Sequence, residues 1–173
     1  MDPTPLSQTQ AVALAVNLEI EGRAFYLQAA EKTLHPTGKA LFLKLAEEEK
    51  HHLAAFQAML KQEYDEWPEP DQLRETRANP VLPLFDEKAA ASLRRATADE
   101  MSALRIALKQ EKEAITFFEK AIALAEDDRA RRIFSFVKDQ ENFHYALLQA
   151  ELDHIAGTGF WFDSPEFRMD GKA

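Results

Sequence analysis

Residues 11–60 lie on residues 103–152 without a gap, an offset that pairs Glu19 with Glu111, Glu49 with Glu141 and His52 with His144. The same offset pairs Ala15 with Ala107, Phe25 with Phe117, Phe42 with Phe134 and Ala54 with Ala146. A chain carrying such a duplication is built of two similar halves. Each half supplies one lone glutamate and then an E-x-x-H, Glu49-Lys50-His51-His52 in the first and Glu141-Asn142-Phe143-His144 in the second. Residues three apart on a helix share a face, so a carboxylate oxygen and an imidazole nitrogen there can reach one cation.

The stretches that carry these residues read as helix. Apolar side chains recur at three- and four-residue steps over residues 8–34 and again over 39–64, with His35-Pro36-Thr37-Gly38 as the break between them. A connection that short makes the two helices antiparallel. Residues 65–88 contain Pro68, Pro70, Pro80 and Pro83, which forbid a continuous helix and predict a long crossover. A third helix is expected from 89 or 98 to 125, a tight turn at Glu126-Asp127-Asp128 with an aspartate as N-cap, and a fourth helix over 129–155. Gly157-Thr158-Gly159 should end it. The tail, 157–173, opens with Phe160-Trp161-Phe162, aromatic enough to pack on the bundle or on a second subunit. The expectation is one all-α domain over 1–173, a four-helix bundle of two helical hairpins with a long crossover between helices two and three.

The hairpin arms are of equal length. Position 34 lies midway between Glu19 and Glu49, and position 126 midway between Glu111 and Glu141. At about 1.5 Å per residue, each lone glutamate stands level with the E-x-x-H of its own hairpin, about 22 Å from the turn.

These glutamates fall inside the apolar stripes. Glu19 shares its face with Val12, Val16, Gly22 and Tyr26, and Glu111 with Leu104, Leu108, Ala114 and Phe118. Glu49 stands among Phe42, Leu45, Leu53 and Phe56, and Glu141 among Phe134, Val137, Tyr145 and Leu148. Burying an unpaired carboxylate costs several kcal/mol, and Lys and Arg are absent from these faces except Lys138 near an edge. Four carboxylates and two imidazoles instead suit two divalent ions, roughly 4+ against 4−. Other acidic side chains, such as Glu21, Glu47, Glu113 and Glu119, read as solvated. His35 and His154 read as surface residues, and Glu48 with His51 is a weaker rival pair because Lys44 shares its face.

Composition narrows the rest. At 173 residues with 46% hydrophobic and 29% charged residues, the chain can bury a single core. A net charge of −9 argues against nucleic acid as a partner. The absence of cysteine removes disulfides, thiolate zinc sites and iron–sulfur clusters. The N-terminus lacks a basic leader, and the apolar run 11–16 is cut short by Asn17, Glu19 and Glu21, so no membrane partner and a cytoplasmic location are expected.

Glu19 with Phe25-Tyr26, the run Leu45-Ala46-Glu47-Glu48-Glu49-Lys50-His51-His52, Glu111 with Phe117-Phe118, and Glu141-Asn142-Phe143-His144 together resemble the rubrerythrin branch of the ferritin-like superfamily. The resemblance covers residues 8–156. It implies two irons, with Glu49 and Glu141 bridging, Glu19 and Glu111 terminal, and one each of His52 and His144 per metal. Similar sites also imply that Glu48 holds His144 and Gln140 holds His52. Tyr26 and Tyr145 flank the ligands and read first as core packing, with hydrogen-bond donor or electron source as the alternative. Two differences from rubrerythrins are expected: no rubredoxin domain, and Ala114, matched by the equally small Gly22, in place of the extra glutamate three residues after the third-helix ligand. Small residues there leave space for O₂ or peroxide.

The function expected is an oxidoreductase in which Fe(II) reacts with peroxide or O₂, in oxidative-stress defence or iron handling, re-reduced by an external electron donor. The alternative is a non-catalytic site for Fe, Mn or Zn in storage, delivery or sensing, since the same ligands accept all three metals. A homodimer fits the aromatic tail.

Overall fold

Strings of Ala, Leu, Glu, Lys and Gln with few interruptions produce long helices, and the computed structural model describes the chain over residues 8–63, 100–125 and 128–162. Among the described residues there are four helices and no strand: α1 (Gln8–Lys32), α2 (Pro36–Glu63), α3 (Glu100–Leu124) and α4 (Asp128–Thr158). α1 pairs with α2 and α3 with α4, and the two hairpins of the one chain face each other through α1 on α3 and α2 on α4. The expected crossover at 65–88 and the tail beyond 162 lie outside the described residues.

The helix ends show where local chemistry decides. Thr33 closes α1 by donating both its N–H and its hydroxyl to the Ala29 carbonyl, at 2.9 and 2.8 Å. α2 then starts at Pro36, three residues earlier than expected, with the His35 carbonyl accepting from the Lys39 N–H at 2.9 Å. A proline suits the first helical position because its missing N–H has no partner to lose. Arg131 reaches Asp128 at 2.5 Å and the Ala125 carbonyl at 2.7 Å; Glu126 and Asp127 of the expected turn lie outside the described residues. α4 runs through Gly157 to Thr158, past the expected stop at 155, and ends where Gly159 takes φ 77° and donates its N–H to Ile155 at 2.8 Å.

Two apolar clusters fill the bundle, one toward each end. The first joins Val12, Val16 and Leu18 of α1 to Phe56, Phe117, Phe118, Phe134 and Val137. The second joins Phe25, Tyr26, Phe42 and Leu45 to Leu104, Leu108, Leu148 and Trp161. On every helix the ligand-bearing positions fall between the stretches that feed the two clusters: Glu19 on α1, Glu49 and His52 on α2, Glu111 on α3, Glu141 and His144 on α4. The aromatic tail contributes Trp161 to the second cluster, stacked on His35 at 6.1 Å and edge-on to Phe42 at 6.4 Å. Phe160 stays exposed.

Candidate metal centre

The hairpin geometry brings all six acidic and imidazole side chains of the duplicated pattern to one height in the bundle. Glu19, Glu49, His52, Glu111, Glu141 and His144 are each at most 4% exposed. They form two groups in which each residue offers one oxygen or nitrogen within 4.8 Å of the others: Glu19, Glu49, His52 and Glu141, and Glu49, Glu111, Glu141 and His144. Glu49 and Glu141 belong to both groups.

The two shared carboxylates span the halves with different oxygens. Glu141 places Oε1 3.1 Å from His52 Nδ1 and Oε2 3.1 Å from His144 Nδ1. Glu49 does the same at longer range, Oε2 3.5 Å from His52 and Oε1 3.7 Å from His144. The unshared glutamates each serve one half, with Glu19 Oε2 3.0 Å from His52 Nδ1 and Glu111 Oε1 3.7 Å from His144 Nδ1. The two imidazole rings are stacked, with centroids 5.6 Å apart.

Electrostatics in the ion-free cluster follow from this crowding. Burial pushes the Glu19 and Glu111 carboxyls well above their ordinary range, and repulsion from Glu49 on the first and from Glu141 on the second adds to it. Burial also works against ionisation of Glu141, but hydrogen bonds from His144 and His52 outweigh it and hold that carboxylate below the usual range. For His52 burial opposes the charge, and hydrogen bonds to Glu141, Glu19 and Glu49 overcome it, so its imidazole stays protonated well above the ordinary value. A protonated imidazole thus occupies the ground that a cation would take.

The donor set fits two divalent ions. The groups are carboxylate oxygens and imidazole nitrogens, the ligands of iron, manganese and zinc. Among the ion pairs of the described residues, the cationic partners of these four carboxylates are the two histidines alone. Four carboxylates sharing one dry space without metal are poorly compensated.

A cavity of about 20 Å³ opens beside the carboxylates, lined by Leu18, Gly22, Tyr26, Gln110 and Ala114 with Glu19, Glu49, Glu111 and Glu141. The small side chains at 22 and 114 make this space. Gln110, 7% exposed, and Leu18 were not among the residues expected at the site; the signal was present, since each stands one helical turn before Ala114 or Gly22. Tyr26, fully buried, donates its hydroxyl to Glu111 Oε1. Burial first, and the Glu111 charge next, push its phenol up, so the proton stays on the ring oxygen.

The remaining expected contacts are not made. Nε2 of His52 and of His144 is buried without a hydrogen-bond partner, so neither Gln140 nor Glu48 holds the histidine assigned to it. Glu48 instead lies 3.6 Å from the exposed His51, which leaves that rival pair outside the cluster. Tyr145 packs, half-buried, against the second apolar cluster rather than lining the cavity. His35 and His154 are half-buried and lie against Trp161 and Phe162.

The comparisons with known proteins agree with this fold. The rubrerythrin family model matches residues 10–152. No curated protein matches the chain. Among solved structures, a hypothetical protein from Pyrococcus furiosus superposes with a TM-score of 0.64 at 25% identity, over 88% of this chain and 92% of that one. A protein from Anabaena variabilis with DJ-1/ThiJ/PfpI-like and ferritin-like domains superposes with a TM-score of 0.57 at 19% identity. That match covers 83% of this chain and 39% of the other, and it speaks for the fold alone. No helix among the described residues is long and apolar enough to cross a membrane.

Proposed function

The chain belongs to the rubrerythrin family, and from that premise we propose that it is a diiron-carboxylate oxidoreductase in which Fe(II) reacts with peroxide or O₂ and an external donor restores the reduced state. The observation that carries this reading is the posture of Glu141 and Glu49, each turning one oxygen to His52 and the other to His144. In this reading Glu49 and Glu141 hold both ions, Glu19 and His52 hold one, and Glu111 and His144 the other. Bound as iron, the pair supplies two electrons and Lewis acidity.

The chain's own residues set what can react. A cavity of about 20 Å³ beside the carboxylates has room for a small oxidant, which favours O₂ or peroxide. Gly22 and Ala114 leave the approach open, while Tyr26 and Gln110 give it one polar wall. The apolar clusters on either side keep bulk water from the carboxylates and strengthen their hold on charge. The Tyr26 hydroxyl hydrogen-bonds the unshared Glu111, which also shares a hydrogen bond with Glu141, and together these orient its carboxyl group.

Anaerobic loading with Fe(II) followed by stopped-flow mixing with H₂O₂ tests the activity. Two irons should be oxidised per peroxide consumed, faster than free Fe(II), with full recovery on adding a reductant. Oxidation at the rate of free iron, with the metal retained, would leave a holding protein for storage or delivery.

A further inference from the structure

Around the site the internal two-fold that relates the halves fails at Leu18 against Gln110, at Gly22 against Ala114 and, where a glutamate is hydrogen-bonded, at the hydroxyl of Tyr26. Tyr26 and Phe118 occupy duplicate positions, as do Phe42 and Phe134. Their packing is duplicated too: the Tyr26 ring lies 6.2 Å from Phe42, and the Phe118 ring 6.3 Å from Phe134. Each also meets the preceding phenylalanine edge-on, at 5.4 Å for Phe25 with Tyr26 and 5.0 Å for Phe117 with Phe118. The difference is chemical. Tyr26 on α1 donates to Glu111 on α3, whereas Phe118 on α3 has nothing to donate to Glu19 on α1.

The same asymmetry appears in how the unshared glutamates are held. Glu111 is held by a phenol that is not itself a candidate ligand, so the restraint survives the arrival of a cation. Glu19 is held by His52 Nδ1 at 3.0 Å, a contact that a cation must displace. His52 Nδ1 is also within 3.5 Å of Glu49 and Glu141, so it fills the centre of its own group. His144 Nδ1 is engaged more loosely, close to Glu141 at 3.1 Å but 3.7 Å from both Glu49 and Glu111. One group is therefore partly plugged by its own imidazole, and the other is pre-arranged.

We propose that the two cation positions are inequivalent and fill in order, the Glu111–His144 position first, with Tyr26 as the positioning residue that sets the order. The inference rests on the dinuclear reading above. A carboxylate held in place by a hydrogen bond loses less freedom on ligation, and partners of this kind typically contribute 10–100-fold in metal affinity.

Anaerobic titration with Co(II), followed by visible absorption and calorimetry, provides the test without any turnover. The native chain should bind two ions in resolved steps. Glu111→Gln should abolish the tighter step, and Glu19→Gln should preserve it. Tyr26→Phe should weaken the tighter step by at least about tenfold and bring the two together. Phe118→Tyr, which gives Glu19 a donor in the duplicate position, should tighten the weaker step, an outcome that a purely structural role for the ring would not produce. Two equal steps in the native chain would overturn the order while leaving the dinuclear site standing, as would a first step that survives Glu111→Gln or is unmoved by Tyr26→Phe. A native chain that binds no cobalt would overturn both readings.

Discussion

Trp161 lies flat on Gly38, so close that a Cβ at position 38 would come within 2.5 Å of the indole Cζ2. The contact closes the α1–α2 end of the bundle. Trp161 is 5% exposed, and the next residue, Phe162, donates its backbone N–H to the buried Glu151 at 2.8 Å. Gly38→Ala should therefore displace the indole from its seat. We expect a loss of about 1–3 kcal/mol in denaturant melts, together with a red shift in tryptophan emission. Unchanged stability and emission would mean that the segment after α4 is not fixed by this contact.

The ion-free protein should lose stability as pH rises above about 4.5, and more steeply above about 6.5. His52, Glu19 and Glu111 all have folded values raised above the ordinary 6.5 and 4.5. Each contributes stability that is complete below its ordinary value and is lost as pH climbs through the folded one. Glu141, held low, acts in the opposite sense, and its contribution disappears only in acid. Thermal melts across that range, with and without metal, check this. Loading with a divalent ion should release protons into a weakly buffered solution, because the ligands must give them up, and it should flatten the pH dependence.

Filling the cavity should slow the chemistry without emptying the site. A Cβ at Gly22 would meet Glu49 Cδ at 3.5 Å, an ordinary contact. Gly22→Ala should therefore be accommodated and gain roughly 1 kcal/mol of helix stability. Gly22→Leu reaches across the space between Leu18 and Ala114. It should lower the rate of Fe(II) oxidation by peroxide at least about tenfold, through lost access to a water-sized cavity, with metal content unchanged in the same sample. An unchanged rate with metal retained would show that the cavity is not the approach.

Much of this arrangement is legible in the chain because burial makes glutamate conspicuous. Four carboxylates in apolar stripes at one offset have few physical explanations, and equal arm lengths fix their height in the bundle. The hairpins follow from short breaks between periodic segments. Details set by tertiary contact are a different matter. That α4 passes through Gly157 and stops at Gly159 depends on which glycine takes the left-handed conformation, a choice both residues can make. His35 and His154 carry no sign that aromatic rings will lie against them. Glu48 and Gln140 stand in the right places on their helices, but a hydrogen bond needs a rotamer as well as a position, and the His52 and His144 Nε2 atoms are left without one. Gln110 stands one helical turn before Ala114, a placement that points into the cavity, but its polar side chain beside an expected ligand reads as surface.

The central claim is that the six buried side chains hold two metal ions, and metal content tests it most directly. The native chain and Glu49→Ala would be reconstituted anaerobically with Fe(II), freed of loosely bound metal and assayed for iron per chain. Because Glu49 belongs to both groups, the account predicts about two irons per native chain and a sharp loss of both in the variant. Native protein that retains no iron, or a variant that retains as much as the native chain, would contradict it.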